Sequence, residues 1–123
     1  MAVISLPAMP LLRITTSADA PADSTALLRE LSSTLASLLG KPERYVMTLL
    51  QTGVPMSFAA DPAPACFAEI RSIGALDGDK PRQLSAAVGE LIRRHLGVPA
   101  ERTYIDFQDV PGRLWGWNGS TFG

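Results

Sequence analysis

Leu27, Leu28, Leu31, Leu35, Leu38 and Leu39 fall on one stripe of a 3.6-residue period, which predicts an amphipathic helix. Asp23 or Ser24 can cap its start, and Gly40 stands where a left-handed residue is wanted after its end. Leu84, Val88, Leu91, Ile92 and Leu96 repeat the spacing and predict a second helix, with Asp79 as N-cap, Pro81 in the first turn and Gly97 closing it. The segments Leu11 to Thr16, Tyr45 to Thr52 and Cys66 to Ile73 are β-branched and apolar enough for strands. Gly53 to Pro64 holds three prolines among small residues and reads as a loop.

These elements come in two similar sets. Gly40-Lys-Pro-Glu-Arg44 returns as Gly97-Val-Pro-Ala-Glu-Arg102 with one inserted residue, each copy leading into a β-rich run that ends at Val-Pro, at Val54-Pro55 and Val110-Pro111. Displacing the first half by the 57 residues between Gly40 and Gly97 lays Leu11–Thr16 over Ala68–Ile73. Each half therefore reads strand, helix, strand. Parallel pairing through a right-handed crossover in each unit puts both helices on one face of a four-stranded sheet, an α/β fold in a two-layer α+β sandwich built from a tandem βαβ pseudo-repeat. The strand from Tyr45 carries Tyr45, Met47 and Leu49 on one face and Val46 and Leu50 on the other, so its second face also needs cover. Another copy of the chain in closed cyclic symmetry is the simplest cover.

A length of 123 residues fits a single domain, and 46% hydrophobic with 19% charged residues excludes a disordered chain. Eleven basic against twelve acidic residues, without a basic cluster, gives no surface for tracking phosphates, so no nucleic-acid partner is expected. The single Cys66 and single His95 leave no intrachain disulfide and no zinc set, and no Ser-His-Asp triad unless His95 serves one. No apolar run approaches the roughly 18 residues of a membrane span, so no membrane partner is expected. Met1–Ala8 lacks the charge and apolar length of a signal peptide, and the default compartment is the cytoplasm.

Most candidate chemistry has a plain structural reading. His95 lies in the last helical turn, where a cation complements the dipole. Cys66 starts a strand as a small buried hydrophobe, and Asp77 and Asp79 flank Gly78 in a turn. The tail differs, because Trp115, Trp117 and Phe122 gather three of the eight aromatic residues into eight positions. That pattern suits either an edge strand anchoring the terminus or the wall of a pocket for a small apolar ligand.

Met9-Pro10 opening a strand, Gly40-Lys41-Pro42 after the first helix, Ser72-Ile73-Gly74, Tyr104-Ile-Asp106 and Gly116-Trp-Asn-Gly-Ser-Thr-Phe122 together resemble the macrophage migration inhibitory factor family of tautomerases, over residues 9 to 123. The resemblance implies a homotrimer with pockets at the subunit interfaces. It also implies keto-enol tautomerisation of phenylpyruvate-like aromatic α-keto acids and isomerisation of dopachrome, without cofactor or metal. Pro10 would be the base: a proline with a free secondary amine starts near the ordinary α-amino pKa of about 7.7–8.0, and burial beside cations lowers it. By the same likeness Lys41 holds the substrate carboxylate and Ile73 gives a backbone contact. Trp115, Trp117 and Phe122 form the stacking wall, and Tyr104 and Asp106 enter from the neighbouring subunit. Family members are secreted without a signal peptide, and some act as signalling proteins. The alternative to an enzyme is thus a cytokine-like binding protein with an inactive pocket.

Three departures from the family pattern bear on chemistry. Asp106 stands where many members have asparagine, and a carboxylate there favours the protonated amine and repels an acidic substrate. Ala65-Cys66-Phe67-Ala68 replaces a Cys-x-x-Cys, so thiol-disulfide activity is not expected. Residues 1–8 form an N-terminal extension before the 9–123 domain and would make the Pro10 nitrogen an ordinary amide. Translation starting at Met9, clipping of the extension, or an inactive protein would each account for it. A start at Met9 is preferred, since Met-Pro sits at the family's own beginning.

Overall fold

A computed structural model describes residues 9–123. Residues 1–8, including the expectation of a misplaced start, lie outside the described residues. The main elements are β1 (Leu11–Thr16), α1 (Ser24–Leu39), β2 (Met47–Gln51), β3 (Cys66–Ser72), α2 (Lys80–Leu96) and β4 (Thr103–Asp109), followed by a small hairpin of β5 (Gly116–Trp117) and β6 (Ser120–Thr121). The sheet order is β2-β1-β3-β4. β1 runs parallel to β2 and β3 parallel to β4, while β1 and β3 are antiparallel. The two βαβ units thus meet about a pseudo-twofold axis.

Strand alternation decides what faces the helices. Leu12, Ile14 and Thr16 of β1 and Cys66, Ala68, Ile70 and Ser72 of β3 are buried under α1 and α2, whose Leu27, Leu31, Leu35, Leu84, Val88 and Ile92 close the same core. Each fully buried leucine there contributes about 1.5–3 kcal/mol. The opposite face carries Arg13, Met47, Phe67, Arg71 and Tyr104, of which Met47 and Tyr104 are 62% and 64% exposed. The single chain leaves that face open, apolar side chains included.

The helix ends follow the expected chemistry with one exception. Asp23 accepts from the Ala26 amide at 3.0 Å, and Gly40 and Gly97 are left-handed at φ 65° and 71°. Asp79 occupies the N-cap position, but its side chain makes no capping bond, and Pro81 alone marks that start. Three strand boundaries also move. Tyr45 belongs to a 3₁₀ turn, Glu43–Tyr45, so β2 begins at Met47; it ends at Gln51, before Thr52, and β3 stops at Ser72, short of Ile73.

The repeat holds with a corrected register. A one-residue slip in a strand exchanges its two faces. The buried faces of β1 and β3 match when Leu12, Ile14 and Thr16 lie over Ala68, Ile70 and Ser72, one residue short of the expected displacement. The 3₁₀ turns Glu43–Tyr45 and Ala100–Arg102 superpose without the inserted residue.

Candidate active site

The topology brings the candidate residues to one end of the sheet. β1 starts there with Pro10, whose carbonyl accepts from the Met47 amide at 3.0 Å and so ties the start of β1 to that of β2. α1 runs back to the same end, where the Lys41 amide bonds the Ala36 carbonyl at 3.0 Å and Lys80 Nζ reaches the Leu38 carbonyl at 2.6 Å. Those bonds fix the helix exit and hence Lys41, which is partly exposed. β3 and β4 both finish at this end, delivering Ile73 and the tail.

The tail is held by its own backbone. The Phe122 amide donates to the carbonyls of Gly112 (3.1 Å) and Trp115 (3.3 Å), and a Cβ at Gly112 would stand 2.9 Å from the Phe122 carbonyl oxygen. β5 and β6 join through Asn118 and Gly119, both at positive φ, the turn that Asn-Gly favours in hairpins. Trp117 stacks on Phe122 at 5.7 Å, Tyr45 meets Trp117 edge-on at 5.8 Å, and the Arg44 guanidinium lies over the Tyr45 ring at 4.8 Å. Tyr45 is a member of the aromatic cluster that the sequence reading assigned to a strand. The Asn118-Gly119 pair is the sequence signal for this hairpin.

A cleft of about 410 Å³ opens beside this cluster, within the size range of small-molecule sites. Met9 and Leu11 line it from the start of β1, Met47 from β2, Arg71 from β3, and Val110, Leu114, Trp115, Gly116 and Trp117 from the tail. Of the predicted site residues only Trp115 and Trp117 line the cleft itself. Pro10 is buried just behind Met9, while Lys41, Ile73 and Phe122 sit around the same end without lining it. Met47, Arg71, Val110 and Leu114 were not anticipated, because strand pairing, not a local motif, brings them together.

Tyr104 and Asp106 are not in this group. On the sheet register Pro10 continues toward Ser72, which pairs with Asp109. At about 3.3 Å per residue and about 4.8 Å between strands, Asp106 lies roughly 14 Å and Tyr104 roughly 19 Å from Pro10. Within one chain they belong to the other end of the sheet. There the Phe58 ring lies 5.0 Å from Tyr104, and Gln108 donates to Asp106 at 3.1 Å.

The remaining candidates have structural roles. His95 Nε2 pairs with the Glu30 carboxylate across the two helices, a partner the dipole argument did not name. Burial pushes the Cys66 thiol up to about 12, which keeps it protonated and unreactive. Among the described residues no cluster of three His, Cys, Asp or Glu side chains could hold a metal, and no helix is long and apolar enough to cross a membrane.

Comparison with known proteins agrees with this architecture. Residues 9–123 match the family profile described as macrophage migration inhibitory factor. A macrophage migration inhibitory factor homolog of Trichuris trichiura is 37% identical over 114 residues, covering 93% of this chain and all of that protein. Among solved structures, the homologue from Prochlorococcus marinus is 58% identical with a TM-score of 0.90, covering 92% of this chain and 99% of the other. The macrophage migration inhibitory factor-like protein of Entamoeba histolytica is 30% identical with a TM-score of 0.87, covering 93% and 99%. Matched along nearly its whole length in sequence and in fold, the chain belongs to the macrophage migration inhibitory factor family.

Proposed function

We propose that this protein is a cofactor-free keto-enol tautomerase acting on aromatic α-keto acids of the phenylpyruvate type and on dopachrome, with the amine of Pro10 as general base. The observation that carries this reading is the convergence of Pro10, Lys41, Ile73 and the Trp115, Trp117 and Phe122 cluster at one end of the sheet, beside an apolar cleft. Pro10 is a base only with a free nitrogen. A secondary amine in a buried setting is neutral near physiological pH and can accept a proton. In the reaction the amine takes a proton from the carbon next to the keto group, the electron pair moves onto the carbonyl oxygen as the enol forms, and a proton is delivered to that oxygen. Lys41 pairs with the carboxylate, and the aromatic wall stacks on the ring.

The same reading makes the active protein a trimer. Tyr104 and Asp106 lie too far from Pro10 to act in the same chain, so a neighbouring copy supplies them. The exposed Met47, Phe67 and Tyr104 on the open face suit burial between copies. It also makes residues 1–8 an extension absent from the active form.

One observation favours the second reading, a cytokine-like binding protein with a silent pocket. In the chain as written, Met9 is bonded to the Pro10 nitrogen, is only 5% exposed and itself lines the cleft. A tertiary amide has no basic lone pair to offer. Intact mass and N-terminal sequencing of protein from its native cell, with phenylpyruvate enolisation on the same sample, separate the two. A chain beginning at Pro10, trimeric by light scattering, with activity lost in Pro10→Gly, supports the enzyme. A trimeric, inactive chain that retains Met9 overturns it.

A further inference from the structure

The proposed reaction uses one cation, Lys41, yet the cleft is lined by another. Among the described residues that line it, Arg71 is the one charged side chain, set among Leu11, Met47, Leu114, Trp115 and Trp117. It stands on the open face of β3, opposite Leu11 on one side and Gln108 on the other. The nearest carboxylate on its own strand face is already taken, since Arg13 holds Glu69 through Nε at 2.6 Å and Nη2 at 2.5 Å. Gln108 is turned to Asp106. Within the single chain, among the described residues, Arg71 makes no ion pair and no side-chain hydrogen bond.

An uncommitted guanidinium in an apolar cleft decides what can be bound there. A ligand that lays only an aromatic body over Arg71 gains a stacking contact but leaves the partly desolvated charge without a counter-ion. One that brings a carboxylate to it gains a paired, charge-assisted contact that a planar guanidinium makes well. Arg44, at the rim of the aromatic cluster, already lies against the Tyr45 ring, so Arg71 is the better-placed partner for an anion inside the cleft.

We propose that Arg71 is a specificity-determining anion site, and that the preferred ligands of this protein are aromatic dianions, with one carboxylate for Lys41 and a second for Arg71 at the far end of an apolar body. This rests on the tautomerase reading for the first carboxylate and on the cleft geometry for the second.

The test compares 4-carboxyphenylpyruvate with phenylpyruvate as substrates, and the unreactive 4-carboxyphenylacetate with phenylacetate as ligands, the latter by quenching of Trp115 and Trp117 fluorescence. Both measurements use protein isolated from its native cell, alongside Arg71→Gln and Arg71→Lys; Arg71 is exposed in the single chain, and far-ultraviolet circular dichroism with light scattering verifies that each variant keeps the fold and the assembly of the parent. The expected result is at least a tenfold lower KM and Kd for the dianion, abolished in Arg71→Gln, partly kept in Arg71→Lys and weakened by salt. A dianion advantage that is absent, or that survives Arg71→Gln, overturns the proposal. Equal losses for monoanion and dianion also overturn it, because Arg71 would then serve the keto-acid carboxylate. If neither keto acid is turned over but dianion binding still requires Arg71, the anion site stands and the tautomerase reading falls.

Discussion

The turn at Ala59 and Ala60 should become more stable when its alanines are removed. Both residues have positive φ, 54° and 61°, and Phe58 and Asp61 are bridged around them through two 3.0 Å backbone bonds. This is the same two-residue geometry as Asn118-Gly119, built without either of the residues that suit it. A left-handed conformation costs a residue with a Cβ about 1–2 kcal/mol, and the extra unfolded-state freedom of a glycine offsets about 0.4–1 kcal/mol of the relief. The double replacement Ala59→Asn with Ala60→Gly should therefore stabilise by about 1 kcal/mol, shifting the urea midpoint by roughly 0.5 M at an m-value of about 2 kcal/mol/M. Protein concentration must be held fixed if copies associate. Ala86→Gly in the exposed middle of α2 is the control and should lose about 1 kcal/mol. The turn tolerates its strain because Arg102 holds it in place: the guanidinium donates to the carbonyls of Pro64, Asp61, Ala63 and Phe58 and lies 5.2 Å from the Phe58 ring. If the double variant loses stability as Ala86→Gly does, with m unchanged, the strain argument is wrong.

Three further outcomes are expected. The folded Cys66 thiol is held protonated up to about 12, whereas the unfolded thiol titrates near about 8.5. Above that lower value the unfolded state binds fewer protons, so stability falls as pH rises toward 12, by about 1.4 kcal/mol per unit, a slope that Cys66→Ala should lack in denaturation series at rising pH. Ser72 Oγ is buried without a hydrogen-bond partner among the described residues, so Ser72→Ala should leave stability unchanged or raise it by about 1 kcal/mol in urea. Lys41→Ala in the enzymatically competent form should raise KM for phenylpyruvate roughly 10- to 100-fold, the value of about 1.5–3 kcal/mol for a hydrogen bond to a charged group, with a smaller change in kcat.

Much of the fold was readable because two signals agreed. The leucine stripes gave both helices, and the glycines that close them took up the left-handed geometry their position demanded. The repeat gave the pairing of units, but sequence alignment could not give the strand register. Whether Ala68 or Phe67 lies over Leu11 is decided by which face meets the helices, and short apolar strands carry too little pattern to say. The aromatic tail was visible as a cluster and Pro10 as the opening of β1. Arg71 and Met47 were not visible as site residues, since each sits in an ordinary strand and reaches the cleft only through pairing with Leu11. The His95 partner was hidden for the same reason: Glu30 is 65 residues away in the chain.

The pseudo-twofold axis bears on the proposal that chemistry sits at one end of the sheet. Under the corrected register Pro10 corresponds to Cys66, Lys41 to Val98 and Tyr45 to Arg102. The second unit thus has the same backbone positions available, and it closes each of them. Cys66 is buried with a thiol that stays protonated, Val98 is fully buried, and Arg102 spends its guanidinium on four loop carbonyls. The first unit puts a proline, a partly exposed lysine and an aromatic ring at those positions instead. What does remain open in both units is the equivalent pair Met47 and Tyr104, each more than 60% exposed on the face away from the helices. The internal duplication therefore supplied two ends with one backbone. Side-chain choice kept a cleft beside Pro10 at one end and buried or occupied the equivalent positions Cys66, Val98 and Arg102 at the other, and the exposed pair on the edge strands is what a neighbouring copy would have to cover.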